Sequence, residues 1–354
     1  MTDFDPVEWI RTYLDLTPST SGVMYSKSDS LSGKNNPIID IPFDAHNPLH
    51  FGSRGSTLDF ASVVGAGRIL DFGPGDGSPS LTLAPICREV VGVEGSKQRA
   101  DICSANAQRL GIANTQFVFV PPGDKLPFSD GSFDGAVAGW SLEQSPDLPG
   151  TLSEISRVLR PGAKFRFEPE PLTVYADGWE RQIWGPSETP DRKASFTLFD
   201  RDIQAERAHH FAFLLDLSLS ELQELFATHQ ERPSYAGLSE SVLQVLRPHI
   251  VGVNTWTTQH PSLMSWLDLL TSAGFSATRL TWSGRFVARQ HVERLSTGAG
   301  RLGTIDEVDA YLRPVIAEAV DIDVPLEHGF HDGPLRPNPQ TGPISCDTRI
   351  TAIR

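Results

Sequence analysis

The sequence predicts a doubly wound α/β fold, a parallel sheet with helices on both faces, and three observations predict it. Strand-like apolar runs alternate with helix-like amphipathic runs between residues 68 and 169. The first run, Arg68-Ile69-Leu70, passes into Asp71-Phe72-Gly73-Pro74-Gly75-Asp76-Gly77, where glycine recurs at every second position. The second run ends on a carboxylate, Glu94, about 20 residues beyond that turn, where doubly wound folds hold a ribose.

Taken in order, residues 6–17 read as a short amphipathic helix, and 18–55, rich in Ser, Asn, Pro, Gly and Asp, as the rest of an N-terminal arm spanning 1–55. A helix near 56–65 leads into the core, 56–169: strand 68–72, helix 79–86, strand 89–94, helix 96–111, strand 115–120, strand 134–139, helix 149–160 and strand 163–169. Local chemistry supports the third helix: Ser96 suits its N-cap, Gly111 its C′ position, and Ala100, Cys103, Ala107 and Leu110 recur at helical spacing. Beyond Glu170 the rhythm breaks, and 170–250 reads as a mostly helical, aromatic-rich cap insertion. Within it, 201–216 reads as a helix with Asp200 as N-cap and Ile203, Phe211 and Leu214 on one face, joined there by Arg207 and His210. The remainder, 251–354, returns to the core through an extended stretch at 251–259, helix 261–273 with Gly274 as C-cap, strand 275–282, a helix near 304–319 and a last strand, 345–353, expected to insert antiparallel.

Composition narrows the function classes. A hydrophobic fraction of 39% with 19 Phe and 7 Trp supplies a core and aromatic walls for a pocket. The net charge of −14 repels polyanions, so nucleic acid is not an expected partner. Cys87, Cys103 and Cys346 have no CxxC spacing, so neither a disulfide framework nor a thiolate metal site is expected, and a reducing cytoplasm fits. The acidic start lacks a basic-then-apolar leader, and the run Phe211 to Leu215 is stopped by Asp216, so no membrane association is expected.

The glycine turn and Glu94 are shared by NAD enzymes and by methyltransferases that use S-adenosylmethionine. The spacing favours the latter: a pyrophosphate site wants GxGxxG opening a helix, whereas Gly73, Gly75 and Gly77 follow GxGxG with an added acid, Asp76. Acid beside the turn suits a sulfonium and an ammonium better than two phosphates. Downstream stand Gly123-Asp124-Lys125-Leu126-Pro127-Phe128-Ser129-Asp130-Gly131-Ser132-Phe133-Asp134 and Glu154-Ile155-Ser156-Arg157-Val158-Leu159-Arg160-Pro161-Gly162. With these segments the chain resembles the class I S-adenosylmethionine-dependent methyltransferases, type 11 group, over about residues 66–170, with a weaker echo in Ala273-Gly274-Phe275 and Ile350 to Ile353. That resemblance implies a Rossmann-like seven-stranded methyltransferase sheet with S-adenosylmethionine as cofactor. It implies that Asp71, Gly73, Pro74 and Gly75 line the methionine end, that Glu94 with Gly95 holds the ribose, and that Asp124 with Gly123 and Lys125 faces the adenine. Gly139 and Trp140 flank the sulfonium. Two departures from the group's pattern stand out: Pro121-Pro122-Gly123-Asp124 is short, and Glu143-Gln144 stands where a histidine is common.

Methyl transfer is an in-line displacement that excludes water, aligns three atoms and removes a proton from many acceptors. The candidate groups for that work are His210, Glu170, Glu168, Glu143 and Tyr175, with Glu206 one helical turn before His210 to orient its ring. The acceptor expected under an aromatic cap is a small, partly apolar organic molecule. Glu327, His328, His331 and Asp332 have ligand-like spacing but lie in a Gly/Pro-rich loop, and no metal is assigned. Two other readings stay open: a NAD-dependent oxidoreductase, and a protein that binds S-adenosylmethionine to regulate or to catalyse a reaction other than methyl transfer.

Overall fold

The structure, a computed structural model, describes residues 4–21, 23, 40–44, 46–169, 181–189, 191–202, 204–228, 238–296, 302–324 and 348–354. The chain divides into two compact units. One takes its described residues from 40–169, 263–324 and 348–354, the other from 4–23 and 181–262.

The first unit is built on a seven-stranded sheet. Its elements are α2 (Pro48–Val64), β2 (Arg68–Phe72), α3 (Ser80–Leu83), β3 (Glu89–Glu94), α4 (Lys97–Leu110), β4 (Thr115–Phe119), β5 (Phe133–Gly139), α5 (Leu148–Val158), β6 (Leu159–Glu168), α8 (Leu263–Ser272), β11 (Ala277–Trp282), α9 (Gly284–Gln290), α10 (Val292–Ser296), α11 (Ile305–Ala319) and β12 (Thr348–Ile353). The strand order is β11-β12-β6-β5-β2-β3-β4, with β12 antiparallel to both neighbours and the ladders from β6 to β4 parallel. This is the doubly wound sheet that the alternation predicts, with the closing strand reversed as expected. Strand order reverses between β2 and β5, which opens a crevice at their carboxyl ends.

Period-two alternation sends each strand's side chains to both helical layers. Leu70, Ala136, Phe165 and Phe167 pack with Leu152, Ile155 and Trp266 on one face, while Ile69, Val90 and Val137 pack with Phe60 and Val64 on the other. The helix expected near 56–65 is longer and begins inside the predicted arm, with Asn47 as its N-cap and Pro48 at its start. Gly52 and Gly55 weaken helix propensity there, and tertiary packing explains both their presence and the missed turns. A Cβ on Gly55 would stand 2.4 Å from Gly284 O and from Ala288 Cβ, so α2 and α9 meet backbone to backbone.

The second unit corrects the expected helical cap. It holds α1 (Pro6–Tyr13), β1 (Leu16–Pro18), β7 (Arg181–Glu188), β8 (Ala194–Asp202), β9 (Arg207–Leu215), α6 (Leu219–Thr228), α7 (Glu240–Leu246) and β10 (Ile250–Gln259). Its sheet runs β1-β10-β9-β8-β7, antiparallel except between β1 and β10. The segment 201–216 is therefore no helix. It supplies the end of β8, a turn and β9, and Asp200 lies inside β8 rather than capping a helix. An apolar run such as 208–215 satisfies both helical and strand periodicity, and its partners decide: Phe213 lies opposite Phe196 with their rings stacked at 4.6 Å. Phe211, Phe213 and Leu215 join a core with Ile10, Leu222 and Leu243, whereas His210 points to the opposite face and no longer shares one with Arg207. Ile203 lies outside the described residues.

Candidate active site

At the end of β2 the chain turns through Gly73, Gly75 and Gly77 with φ of 76°, 64° and 112°, a left-handed path that side chains resist. At Gly73 the need is also steric, because a Cβ would stand 2.3 Å from Ser141 Cβ. Ser141 follows β5 and donates its hydroxyl to Phe72 O at 2.5 Å, tying the two strand ends across the switch point. Gly73 N bonds Val93 O at 2.9 Å, and Glu94 takes Gly75 N on one carboxylate oxygen and Ser96 N on the other, both at 3.1 Å. Glu94, 8% exposed, thus grips the turn and the start of α4 together. Asn106 holds Asp76 O at 2.9 Å and Cys103 holds Gly75 O at 3.3 Å, contacts from α4 that sequence reading did not identify.

Asp71 lies wholly inside, accepting Ser80 N at 3.0 Å and Ser80 Oγ at 2.6 Å on one oxygen. Burial, opposed by those bonds and aided by the charges of Glu94 and Asp76, pushes its carboxyl up to about 7. Asp76 is likewise raised, chiefly by burial. Because the folded value of Asp71 exceeds the unfolded one, its contribution to stability is complete below about pH 4 and is lost as pH rises through about 7. Relative to Asp71→Asn, the wild type is expected to lose on the order of 4 kcal/mol between those limits. Urea unfolding of both proteins across pH 4–8 measures it, and a difference that stays flat with pH refutes a neutral Asp71.

The other cofactor candidates gather at the same carboxyl edge. Asp124 closes a tight turn onto Pro121 O at 3.0 Å, preceded by Gly123 at φ 90°, with Asp124 and Lys125 both exposed. A Cβ on Gly95 would meet Pro122 at 3.2 Å, so this loop closes on the segment after Glu94. Pro74 is buried within the glycine turn. Gly139 differs from Gly73: its φ is ordinary and a Cβ there would meet nothing within 4 Å. The chain's own packing does not demand glycine at that position, and the missing side chain leaves open surface beside Trp140, a residue that is 49% exposed and whose backbone has φ 53°. Three acids around a glycine turn, with open space at Gly139, fit a ligand that carries a ribose and positive charge.

The catalytic candidates are dispersed. Glu168 ends β6 with its carboxylate on Arg349, Nη2 at 2.6 Å and Nε at 3.2 Å, while its carbonyl accepts Trp140 N at 2.9 Å. Arg349 also approaches Asp59 at 3.2 Å, and Asp59 makes a paired bond with Arg166 at 2.9 and 3.0 Å. Burial would raise the Asp59 carboxyl, but Arg166 and Arg349 outweigh it and hold the group below its ordinary value. Glu143 is buried in the short 3₁₀ turn Leu142–Gln144. Glu170 and Tyr175 lie outside the described residues, as do Glu327, His328, His331, Asp332 and Cys346. His210 belongs to the five-stranded unit, where its Nε2 bonds Thr258 Oγ1 at 3.0 Å between the rings of Phe199 and Trp256. Burial holds it well below the usual histidine value, so the ring is neutral at pH 7. Glu206 does not orient it: at φ 52° this residue occupies the turn before β9, and its carbonyl accepts His260 N at 2.8 Å. Among the described residues no cluster of three metal-ligating groups occurs, and no helix is long and apolar enough to cross a membrane.

A reversed last strand, a glycine turn at the switch point and an acid ending the adjacent strand define a nucleotide-cofactor α/β domain of the methyltransferase type. Residues 70–167 match the methyltransferase domain family, type 11, and this segment is a methyltransferase domain of the S-adenosylmethionine-dependent kind. Among curated proteins, the segment is similar to the uncharacterised methyltransferase YcgJ of Bacillus subtilis, with 32% identity over 98 residues, 28% of this chain and 38% of that protein. A 2-phytyl-1,4-naphtoquinone methyltransferase of Synechococcus elongatus is 28% identical over 145 residues, 38% of this chain and 61% of that one. The sterol 4-C-methyltransferase strm-1 of Caenorhabditis elegans is 35% identical over 96 residues, 27% of this chain and 29% of its own length. The chain thus spans between 29% and 61% of the length of these relatives. The crystal structure of YcgJ overlays with a TM-score of 0.39 at 18% identity, covering 86% of this chain and 99% of that one.

Proposed function

We propose that the protein transfers a methyl group from S-adenosylmethionine to a small, partly apolar organic metabolite in the cytoplasm. The observation that carries this reading is the trio of Asp71, Asp76 and Glu94 about a glycine turn, next to open surface at Gly139. The bound cofactor supplies an electrophilic methyl on a positive sulfur. Glu94, fixed by its two backbone bonds, is set to accept from the ribose hydroxyls, and the ligand's positive charge favours the ionised forms of Asp71 and Asp76. The relatives named for a phytylnaphthoquinone and a sterol support an apolar organic acceptor.

An acceptor hydroxyl, amine or carbon acid must lose a proton. Glu143, Glu170 and Tyr175 form the proposed set for that step, and His210, neutral at pH 7, is a separate candidate carried by the five-stranded unit. Arg349 occupies the Glu168 carboxylate, so Glu168 is left out of it. His210→Ala and Glu170→Gln are expected to lower turnover while leaving S-adenosylhomocysteine affinity unchanged; full turnover in both variants removes these assignments. The whole reading is tested by calorimetric titration with S-adenosylhomocysteine and, separately, NADH. Binding of the first is expected, and tight NADH binding with no response to S-adenosylhomocysteine sinks it in favour of an oxidoreductase.

A further inference from the structure

We infer that Arg285, set against Trp140, is the counter-charge for an anionic acceptor, a molecule that presents a carboxylate beside its methyl-accepting atom. The inference rests on the methyltransferase reading and names the acceptor's chemistry. Arg285 enters from α9, directly after β11, whose carboxyl end lies on the same edge as those of β5 and β6. Ser283 caps α9 by accepting Arg285 N at 3.2 Å, and the glycine contact between α2 and α9 lays the Arg285 stem over Gly52, where a Cβ would meet its Cγ at 3.9 Å. The guanidinium then lies 5.4 Å from the centre of the Trp140 ring.

Charge balance makes this cation stand out. Beneath α2, Asp59 and Glu168 pair with Arg166 and Arg349, two negative groups against two positive ones. Arg285 is a further positive charge beside that set, facing Arg349 and Arg289 as well as Glu168, and no described carboxylate forms an ion pair with it. Its Nε is buried without a hydrogen-bond acceptor. A buried donor left in that state costs free energy that an incoming carboxylate recovers through a charge-assisted, forked contact. Position along the edge separates this charge from the cofactor. The acids Glu94, Asp71 and Asp76 belong to β3 and to the β2 turn, whereas Arg285 sits past Trp140 and Glu168, on the other side of β5. The edge is thus acidic where a cationic cofactor is proposed and basic beyond the proposed methyl position.

The test uses 2-hydroxybenzoate and its neutral amide as probes, titrated into protein saturated with S-adenosylhomocysteine. The carboxylate is expected to bind at least about tenfold more tightly than the amide in the wild type. Arg285→Gln is expected to abolish that preference, Arg285→Lys to keep part of it, and both to bind S-adenosylhomocysteine as the wild type does. No preference in the wild type, or one that survives Arg285→Gln, overturns the inference. So does a selective loss of S-adenosylhomocysteine affinity in Arg285→Gln with 5′-methylthioadenosine affinity unchanged, since the guanidinium would then hold the cofactor's own carboxylate. Failure of wild-type protein to bind S-adenosylhomocysteine at all is a different result and defeats the methyltransferase reading itself.

Discussion

Arg166→Leu is expected to destabilise the protein by about 3–5 kcal/mol, seen as a large fall in the urea midpoint. Arg166 and Asp59 are both fully buried, and the guanidinium bridges α2 to β6, β11 and β12 through Asp59, Thr281 Oγ1 at 2.6 Å, Thr351 Oγ1 at 3.0 Å and Trp282 O at 3.0 Å. Without it Asp59 keeps Gly284 N at 2.6 Å and a shared Arg349, which must then serve two buried carboxylates. Removing one partner strands the other's charge, while replacing both is tolerated far better. The double variant Asp59→Asn/Arg166→Met is therefore expected to be more stable than Arg166→Leu. A loss below about 1 kcal/mol in Arg166→Leu would show that Arg349 and the α9 backbone suffice.

Gly139→Val is expected to weaken S-adenosylhomocysteine binding about 100-fold, or roughly 2.7 kcal/mol, while moving Tm by no more than about 2 °C. The position ends β5 with ordinary backbone angles and no neighbour within 4 Å of a Cβ, so the fold accepts valine, whereas a cofactor seated as proposed would collide with it. Gly73→Ala is the contrasting case. There φ is 76° and Ser141 stands 2.3 Å from the new Cβ, so stability itself falls by about 1–3 kcal/mol. Calorimetry paired with thermal unfolding separates the two. Unchanged ligand affinity in Gly139→Val would move the cofactor away from the β5 end.

The core was readable because its signals are local. Ser96 caps α4 by accepting Arg99 N at 3.4 Å, and Gly111 ends that helix at φ 68°, each as its residue type dictates. The glycine turn and the acid beside it were readable for the same reason: the turn needs glycine, and Glu94 ends its strand within hydrogen-bond reach of Gly75. The second unit was not readable. Residues 208–215 carry apolar groups on both faces, so a helix and a strand fit the same letters, and His210 changes neighbours entirely between them.

The sequence by itself determined the doubly wound domain, its glycine turn, the acid that grips it and, through these, the class of cofactor. Those features need only the backbone rules of a few adjacent residues. Tertiary structure decided the strand pairing of 181–259, the union of Asp59, Arg166, Glu168 and Arg349 from distant segments, and the meeting of Arg285 with Trp140. The physical reason is that non-local pairing energies, set by burial and charge balance, choose among local conformations of nearly equal free energy.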